Sequence, residues 1–140
     1  MKTLSFLSLL TLSIFGCKSS VVDKNHDEIR YKETVTTNDI PRSTLTFFEI
    51  SDSRCPEGVQ CLWAGNATVD LALTGVTTEG GVTSHVSMCL GACGSIEDTL
   101  DYEFTGQKYR FILKAVNPNP KAESAEPKEN YSISLDIQKK

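Results

Sequence analysis

Five segments of the chain alternate apolar and polar residues with a period of two, and turn-forming residues separate them. In residues 67–73, for example, Ala67, Val69, Leu71 and Leu73 fall on one face of an extended chain. Such alternation, with many β-branched and aromatic residues, predicts half-buried β-strands. The predicted strands span residues 44–50, 67–73, 82–90, 108–116 and 131–137.

The same alternation assigns the inward positions of the other strands. The expected inward side chains are Val82, Val86, Met88 and Leu90 in residues 82–90, Tyr109, Phe111, Leu113 and Ala115 in residues 108–116, and Tyr131, Ile133, Leu135 and Ile137 in residues 131–137. The pattern in residues 82–90 is less regular, and it places His85 and Cys89 on the outward face.

About seven short strands joined by turns favour an all-β fold, which we predict to be a single antiparallel β-sandwich. The arrangement is expected to be immunoglobulin-like, with an open barrel as the alternative. Residues 31–37 add a weak edge strand, and residues 96–104 could form one helical turn. The three prolines of residues 117–130 predict a long surface loop. We therefore place the sandwich domain at residues 43–140, after a polar, flexible tether at residues 17–42.

The first residues have the pattern of a secretory signal peptide. Lys2 is followed by an apolar run at residues 4–15, which as a helix would span about 18 Å, too short for a hydrocarbon core of about 30 Å. The run ends in Gly16 and Cys17, which together resemble the lipobox of bacterial lipoproteins. The resemblance implies a signal peptide at residues 1–16, cleavage before Cys17 and lipidation of its sulfur.

The residues around the anchor suggest where the protein lies. The resemblance implies attachment to the membrane through the lipid. The residue after the cysteine is Lys18 rather than an aspartate, which favours the cell outer membrane, at its periplasmic face or its surface. The chain has a formal net charge of −4 and no basic cluster, which argues against a nucleic-acid partner.

Four further cysteines follow Cys17: Cys55, Cys61, Cys89 and Cys93. A secreted context and an even number favour disulfide bonds, with three possible connectivities. We expect the local pairs Cys55–Cys61 and Cys89–Cys93, because each pair brackets turn-forming residues. The rival connectivities would tie the two loops to each other.

A copper site at His85, Cys89 and Cys93 is the alternative use of these residues, since soft sulfur and imidazole suit that metal. The cysteine spacings match neither a zinc knuckle nor a CxxC redox motif. No metal or other cofactor is therefore predicted.

The segment SRCPEGVQCLWAG forms the candidate binding loop, and its candidate site residues, together with the preceding Asp52, are Arg54, Pro56 and Trp63. Asp52 and Arg54 are expected to form an ion pair that fixes the loop, with contact to a ligand as the alternative. Trp63 is expected to pack beneath the loop against the sheet, and the alternative is an exposed platform for a glycan or a partner protein.

The two histidines, His26 and His85, do not belong to a catalytic motif such as GxSxG or HExxH, so we predict a protein that is not an enzyme. The leading hypothesis is a non-enzymatic binding module of the cell envelope, with an envelope protein or glycan as partner. The alternatives are copper handling and presentation of the loop around Pro56 to a protease. Asp98-Thr99-Leu100 resembles a bacterial O-glycosylation sequon.

The order of motifs along the chain resembles a group of small uncharacterised bacterial lipoproteins. These carry an SRCP segment, a second cysteine, a WAG-like triplet and an alternating strand, as residues 52–73 do here, and later strands like those at residues 109–120 and 131–139. Cys89 and Cys93 lie outside this pattern. The resemblance implies an envelope location and a β fold, and it implies no activity.

Overall fold

The computed structural model describes residues 24–140, which form eight β-strands and one 3-10 helix. The strands are β1 Lys24–Arg30, β2 Thr34–Asn38, β3 Ser43–Asp52, β4 Asn66–Thr77, β5 Gly80–Gly91, β6 Thr99–Phe104, β7 Gln107–Asn117 and β8 Ser132–Lys139, and the short helix is Lys128–Asn130. Two antiparallel four-stranded sheets are packed face to face, in the orders β1-β8-β7-β6 and β2-β3-β4-β5. The predicted antiparallel sandwich is confirmed, and the chain does not close into a barrel. Within residues 24–140 there is no helix long and apolar enough to cross a membrane.

The core lies between the sheets and is filled by the predicted alternating residues. Leu45, Leu71, Phe111 and Leu135 have no exposed surface, and each such side chain contributes about 1.5–3 kcal/mol by leaving water. Tyr109 is also fully buried, and its hydroxyl lies 3.2 Å from the Ser43 hydroxyl, which in turn lies 2.8 Å from that of Thr37. Each of these three hydroxyls therefore has a hydrogen-bond partner inside the protein.

Two β-bulges shift the predicted alternation. In β7 the register with β8 shifts between Leu113 and Ala115, so Val116 is buried while Ala115, predicted to face inward, is only half-buried. In β3 the shift lies between Phe47 and Glu49. A bulge inserts one unpaired residue and exchanges the faces beyond it, which is why strict alternation gave the wrong face for Ala115.

The prediction of a flexible tether at residues 17–42 is wrong for residues 24–30, whereas the weak edge strand predicted at residues 31–37 is confirmed as β2. β1 pairs with β8 and β2 pairs with β3, so the sandwich includes strands before the predicted boundary at residue 43. Both are edge strands, and their sequences KNHDEIR and TVTTN contain few apolar residues, which weakens the alternation. Residues 99–104 form strand β6 rather than a helical turn, and Val82, predicted to face inward, is 37% exposed near the end of its sheet.

One end of the sandwich, which we call the hairpin pole, is formed by the turns at residues 39–42, 78–79 and 105–106. β1 begins at this end, because Lys24 pairs with Ile137 of β8, close to the Tyr109–Lys139 pair that follows the 105–106 turn. The Lys139 ammonium also donates to the Asn38 side-chain oxygen at 2.7 Å, which joins the two sheets there.

The opposite end, which we call the loop pole, carries the loops at residues 53–65, 92–98 and 118–131. Gly91 at the end of β5 pairs with Asn66 at the start of β4, so the first two loops are neighbours. The candidate binding loop therefore lies at the end of the molecule opposite to the start of β1.

Candidate binding loop

The loop at residues 53–65 continues the β3–β4 pairing before it opens. The Ser53 amide donates to the Asn66 carbonyl at 2.8 Å, and the Cys55 amide donates to the Ala64 carbonyl at 2.9 Å. Gly65 has a φ of +69°, and a Cβ there would lie 1.9 Å from the Ser53 carbonyl oxygen. Only glycine combines this conformation with so close an approach, which explains the glycine of the WAG triplet.

Both predicted local disulfides are present. Cys55 and Cys61 are bonded with their Cα atoms 5.9 Å apart, and Cys89 and Cys93 are bonded with their Cα atoms 6.1 Å apart. Cys89 lies on the outward face, as predicted, but is only 3% exposed. Its amide donates to the Glu97 carbonyl at 3.1 Å, so the loop at residues 92–98 lies along this edge of the sheet.

Arg54 clamps the binding loop to the loop at residues 118–131. Its Nε and Nη2 donate to the two carboxylate oxygens of Asp52 at 2.9 and 2.7 Å. Nη1 donates to the Val116 carbonyl at 2.8 Å and to Asn119 Oδ1 at 3.1 Å, and Nη2 also donates to the Pro118 carbonyl at 2.8 Å. A guanidinium has five N–H donors, and these contacts engage all of them.

The Asp52–Arg54 ion pair is largely shielded from water, with 5% of the Asp52 side chain and 14% of the Arg54 side chain exposed. The Tyr131 hydroxyl also donates to Asp52 Oδ2 at 3.0 Å. The predicted ion pair is confirmed, and a ligand could bind the guanidinium only by displacing one of these contacts. Sequence reasoning did not assign Tyr131 or Asn119 to this clamp, because they lie 79 and 65 residues from their partners Asp52 and Arg54.

Electrostatics at the clamp favour the charged form of Asp52. Burial acts to raise the pKa of its carboxyl, but the hydrogen bonds and charge of Arg54 outweigh burial and hold that pKa below its usual value. Burial raises the pKa of Tyr131 to about 12, together with the hydrogen bond to Asp52 and the negative charge of that carboxylate. The tyrosine therefore stays a neutral donor and the aspartate a charged acceptor over a wide pH range.

A second pair of contacts fixes the turn of the loop. The Glu57 amide donates to the Pro120 carbonyl at 3.1 Å, and the Asn119 side-chain amide donates to Glu57 Oε1 at 2.8 Å. Pro56, which directly precedes Glu57, is half-buried. The loop is thus held by its stem, its disulfide and the hydrogen bonds that Arg54 and Glu57 make with residues 118–131, so little conformational entropy is left to lose on binding.

The tip of this rigid loop is apolar and exposed. Leu62 is fully exposed, Trp63 is 60% exposed and Val59 is 44% exposed. The expectation that Trp63 packs beneath the loop is wrong, because Ile50 and Val116 already close the core near this pole. Exposed large apolar side chains that are grouped together are typical of binding sites.

A cavity of about 380 Å³ adjoins the binding loop beneath residues 120–126. Ile50, Asp52 and Tyr131 line it, so it shares two residues with the Arg54 clamp. Beside it the Lys128 ammonium lies 2.6 Å from Glu49 Oε1. This hydrogen bond is the main cause that lowers the pKa of Glu49 and raises that of Lys128.

The residues of the alternative copper site, His85, Cys89 and Cys93, do not form a metal-binding cluster. The sulfurs of Cys89 and Cys93 are bonded to each other, and four residues along a strand separate His85 from Cys89 by about 13 Å, too far for one metal ion. His85 Nδ1 instead lies 2.9 Å from Asp70 Oδ1, and its ring makes an edge contact with Phe48. Within residues 24–140 we find no cluster of three or more potential metal ligands.

Comparisons of the chain with protein families, with curated proteins and with solved structures find no match. The resemblance to small bacterial lipoproteins therefore stays a prediction. The signal peptide at residues 1–16 and the lipidation site Cys17 lie outside the described residues. The sequon at Asp98-Thr99-Leu100 lies where β6 begins, and the hydroxyl of Thr99 donates to the Asp98 carboxylate at 3.1 Å.

Proposed function

We propose that this protein is a lipid-anchored, non-enzymatic binding module of the cell envelope, whose binding loop at residues 53–65 engages an envelope protein or glycan. One observation carries the proposal: Leu62 and Trp63 are held in water at the tip of a loop that a disulfide and the largely shielded Arg54 clamp make rigid. Isolated exposed apolar residues are common, but an adjacent leucine and tryptophan on a fixed loop form a contact surface.

The loop has the properties of an energetic centre of binding. Tryptophan is enriched among the residues that dominate interface energies, and burying Leu62 and Trp63 would contribute about 3–6 kcal/mol together. Because the backbone of the loop is already fixed, less of this energy is offset by ordering than in a flexible loop.

The anchor supports a presenting role. The proposed lipid on Cys17 precedes β1, and β1 begins at the hairpin pole, opposite to the loop. Two or three acyl chains hold a protein stably on a membrane, whereas one chain does not. We propose attachment to the outer membrane, with the loop presented away from the lipid. Labelling with radioactive palmitate tests the anchor: the native chain should incorporate the label and a Cys17→Ser variant should not.

Site-directed photocrosslinking tests the binding role. A photoreactive amino acid at Leu62 should capture a defined envelope component, whereas the same group at Glu103, which is exposed on β6, should not. Excess native domain should compete with the capture, and a Leu62→Ala/Trp63→Ala domain should compete at least about tenfold less well, since a loss of 1.4 kcal/mol corresponds to that factor. Equal capture at both positions, or equal competition by both domains, would refute the proposal.

The second candidate function is binding to a protease. It is favoured because the loop is fixed both by its disulfide and by its contacts to residues 118–131. Rigid, disulfide-closed loops bind proteases well because little entropy is lost, and Pro56 and Glu57 are tied to residues 118–131 here. Stoichiometric inhibition of an envelope protease, lost in the Leu62→Ala/Trp63→Ala domain, would identify this class of partner. If no protease is inhibited while the crosslink persists, the partner belongs to another class.

A further inference from the structure

The hairpin pole carries its own exposed apolar surface, distinct from the binding loop. Ile40 at the tip of the 39–42 turn is 91% exposed, the adjacent Pro41 is exposed, and Val76 near the end of β4 is 58% exposed. Pro41 and Val76 line a shallow groove together with Thr105 and Gly106 of the neighbouring turn. Apolar side chains of the 39–42 turn and of β4 thus lie beside the 105–106 turn of the other sheet at one end of the molecule.

The chain enters the sandwich at this same end, which limits the distance between the hairpin pole and a lipid anchor at Cys17. Residue 17 precedes Lys24, the first residue of β1, by seven positions, so the connection spans at most about 25 Å. β4 has 12 residues, and a strand of that length is roughly 40 Å long. A molecule anchored at Cys17 therefore keeps the hairpin pole close to the lipid, and its loop pole cannot reach the bilayer end-on.

We infer that the hairpin pole rests on the lipid bilayer beside the anchor, with Ile40 and its apolar neighbours in the interfacial region. This inference rests on the proposed lipidation of Cys17. The anchor keeps the pole at a high effective concentration next to the bilayer, so a small apolar surface suffices for contact. The result would be a fixed orientation in which the binding loop points away from the membrane.

The charges of the pole indicate which forces maintain this contact. The charged side chains of the turns around Ile40 are Asp39, Arg42 and Glu79, whose formal charges sum to −1 (one positive, two negative). The other sheet carries Lys108, Lys139, Lys140 and Glu103 at the same pole. Burial of Ile40, Pro41 and Val76 and attraction of the lysines to anionic lipid therefore both contribute, and the contact should weaken but persist at high salt, where electrostatic binding is screened.

Tryptophan fluorescence can test the orientation directly, because Trp63 is the single tryptophan of the chain and lies at the loop pole. The full-length acylated protein would be reconstituted in vesicles of phosphatidylethanolamine and phosphatidylglycerol with brominated acyl chains, which quench a nearby indole. Three proteins would be compared: the native chain, an Ile40→Trp/Trp63→Phe variant, and a Phe48→Trp/Trp63→Phe variant. Phe48 is 42% exposed on the side of the second sheet, so it controls for the affinity of an added indole.

A side chain that enters the interface reaches a depth of about 5–10 Å, so at least about half of the fluorescence should be lost at position 40. The native chain and the Phe48→Trp/Trp63→Phe variant should lose little. Equal or stronger quenching at position 48 or 63 would overturn the inference, because the molecule would then lie on its side or contact lipid through the loop.

Two further outcomes separate this inference from the proposed anchor. If the vesicles float with the protein but position 40 is not quenched, the anchor stands and the inference is wrong. An unquenched but blue-shifted emission at position 40 would assign the surface to a second copy of the chain instead. If the protein does not float with the vesicles, the anchor itself fails and the inference fails with it.

Discussion

Replacing Arg54 with methionine is the most informative perturbation of the fold near the binding loop. Methionine keeps an unbranched apolar side chain and removes all five N–H donors. The carboxylate of Asp52, 5% exposed, would keep only its hydrogen bonds from the Arg54 amide and from the Tyr131 hydroxyl. The carbonyl groups of Val116 and Pro118 would lose their side-chain donors as well.

The structure allows the magnitude to be estimated. Removing one partner of a buried ion pair costs about 3–5 kcal/mol, because the remaining charge is left buried without compensation. The Arg54 side chain is 14% exposed, so water can partly reach the site and we expect the lower end, about 3 kcal/mol. For a urea dependence of about 1.5 kcal/mol per molar, the unfolding midpoint would fall by about 2 M.

Urea unfolding of a chain of residues 18–140, followed by circular dichroism, measures this effect. Arg110→Met is a matched control, since Arg110 also contacts both oxygens of one aspartate, Asp101, at 2.8 and 2.7 Å. Those side chains are 40% and 50% exposed, and exposed ion pairs contribute little to stability. We therefore expect a far smaller midpoint shift for Arg110→Met. Equal shifts for the two variants would refute the conclusion that burial gives the Arg54 clamp its strength.

The pH dependence of stability provides an independent test of the same clamp. The pKa of Asp52 is lowered in the folded protein, so its contribution to stability is complete above the unfolded value of about 3.9 and is lost as pH falls through the folded value. The difference between the native chain and the Arg54→Met variant should therefore shrink below about pH 4. The pKa of Tyr131 is raised to about 12, so its contribution is lost as pH rises from about 10 through 12.

The remaining predictions concern the backbone and disulfide of the binding loop. Gly65→Ala should lower the free energy of unfolding by more than about 2 kcal/mol, because the added Cβ would meet the Ser53 carbonyl at 1.9 Å. Gly58 also has a positive φ, 77°, but has open space around it, so Gly58→Ala should cost only about 1 kcal/mol. Equal thermal shifts for the two variants would contradict the steric argument. The double variant Cys55→Ser/Cys61→Ser should lose about 2 kcal/mol and keep its β-sheet circular dichroism, whereas a loss of the folded state would show that this disulfide supports the whole sandwich. Thiol titration of the denatured native 18–140 chain should find no free thiol, and any free thiol would contradict the two disulfides.

Much of the fold could be predicted from the sequence, because its determinants lie close together along the chain. Alternation in residues 67–73 and 131–137 identified both the strands and their buried faces, since the side chains of a strand change sides at every residue. The turn-forming residues between Cys55 and Cys61 and between Cys89 and Cys93 indicated the local disulfides. The pairing of Asp52 with Arg54, two residues apart, was predicted for the same reason.

The tertiary structure decided what depends on contacts between distant segments. β1 is a strand because β8 offers it a partner, and Val116 faces inward because of a bulge against β8. Trp63 stands in water because the core closes without it. Arg54 acts as a clamp only through Val116, Pro118 and Asn119, which lie more than 60 residues away. Periodicity describes one strand at a time, whereas burial, register and the partners of a buried charge are set by the elements that fold against it.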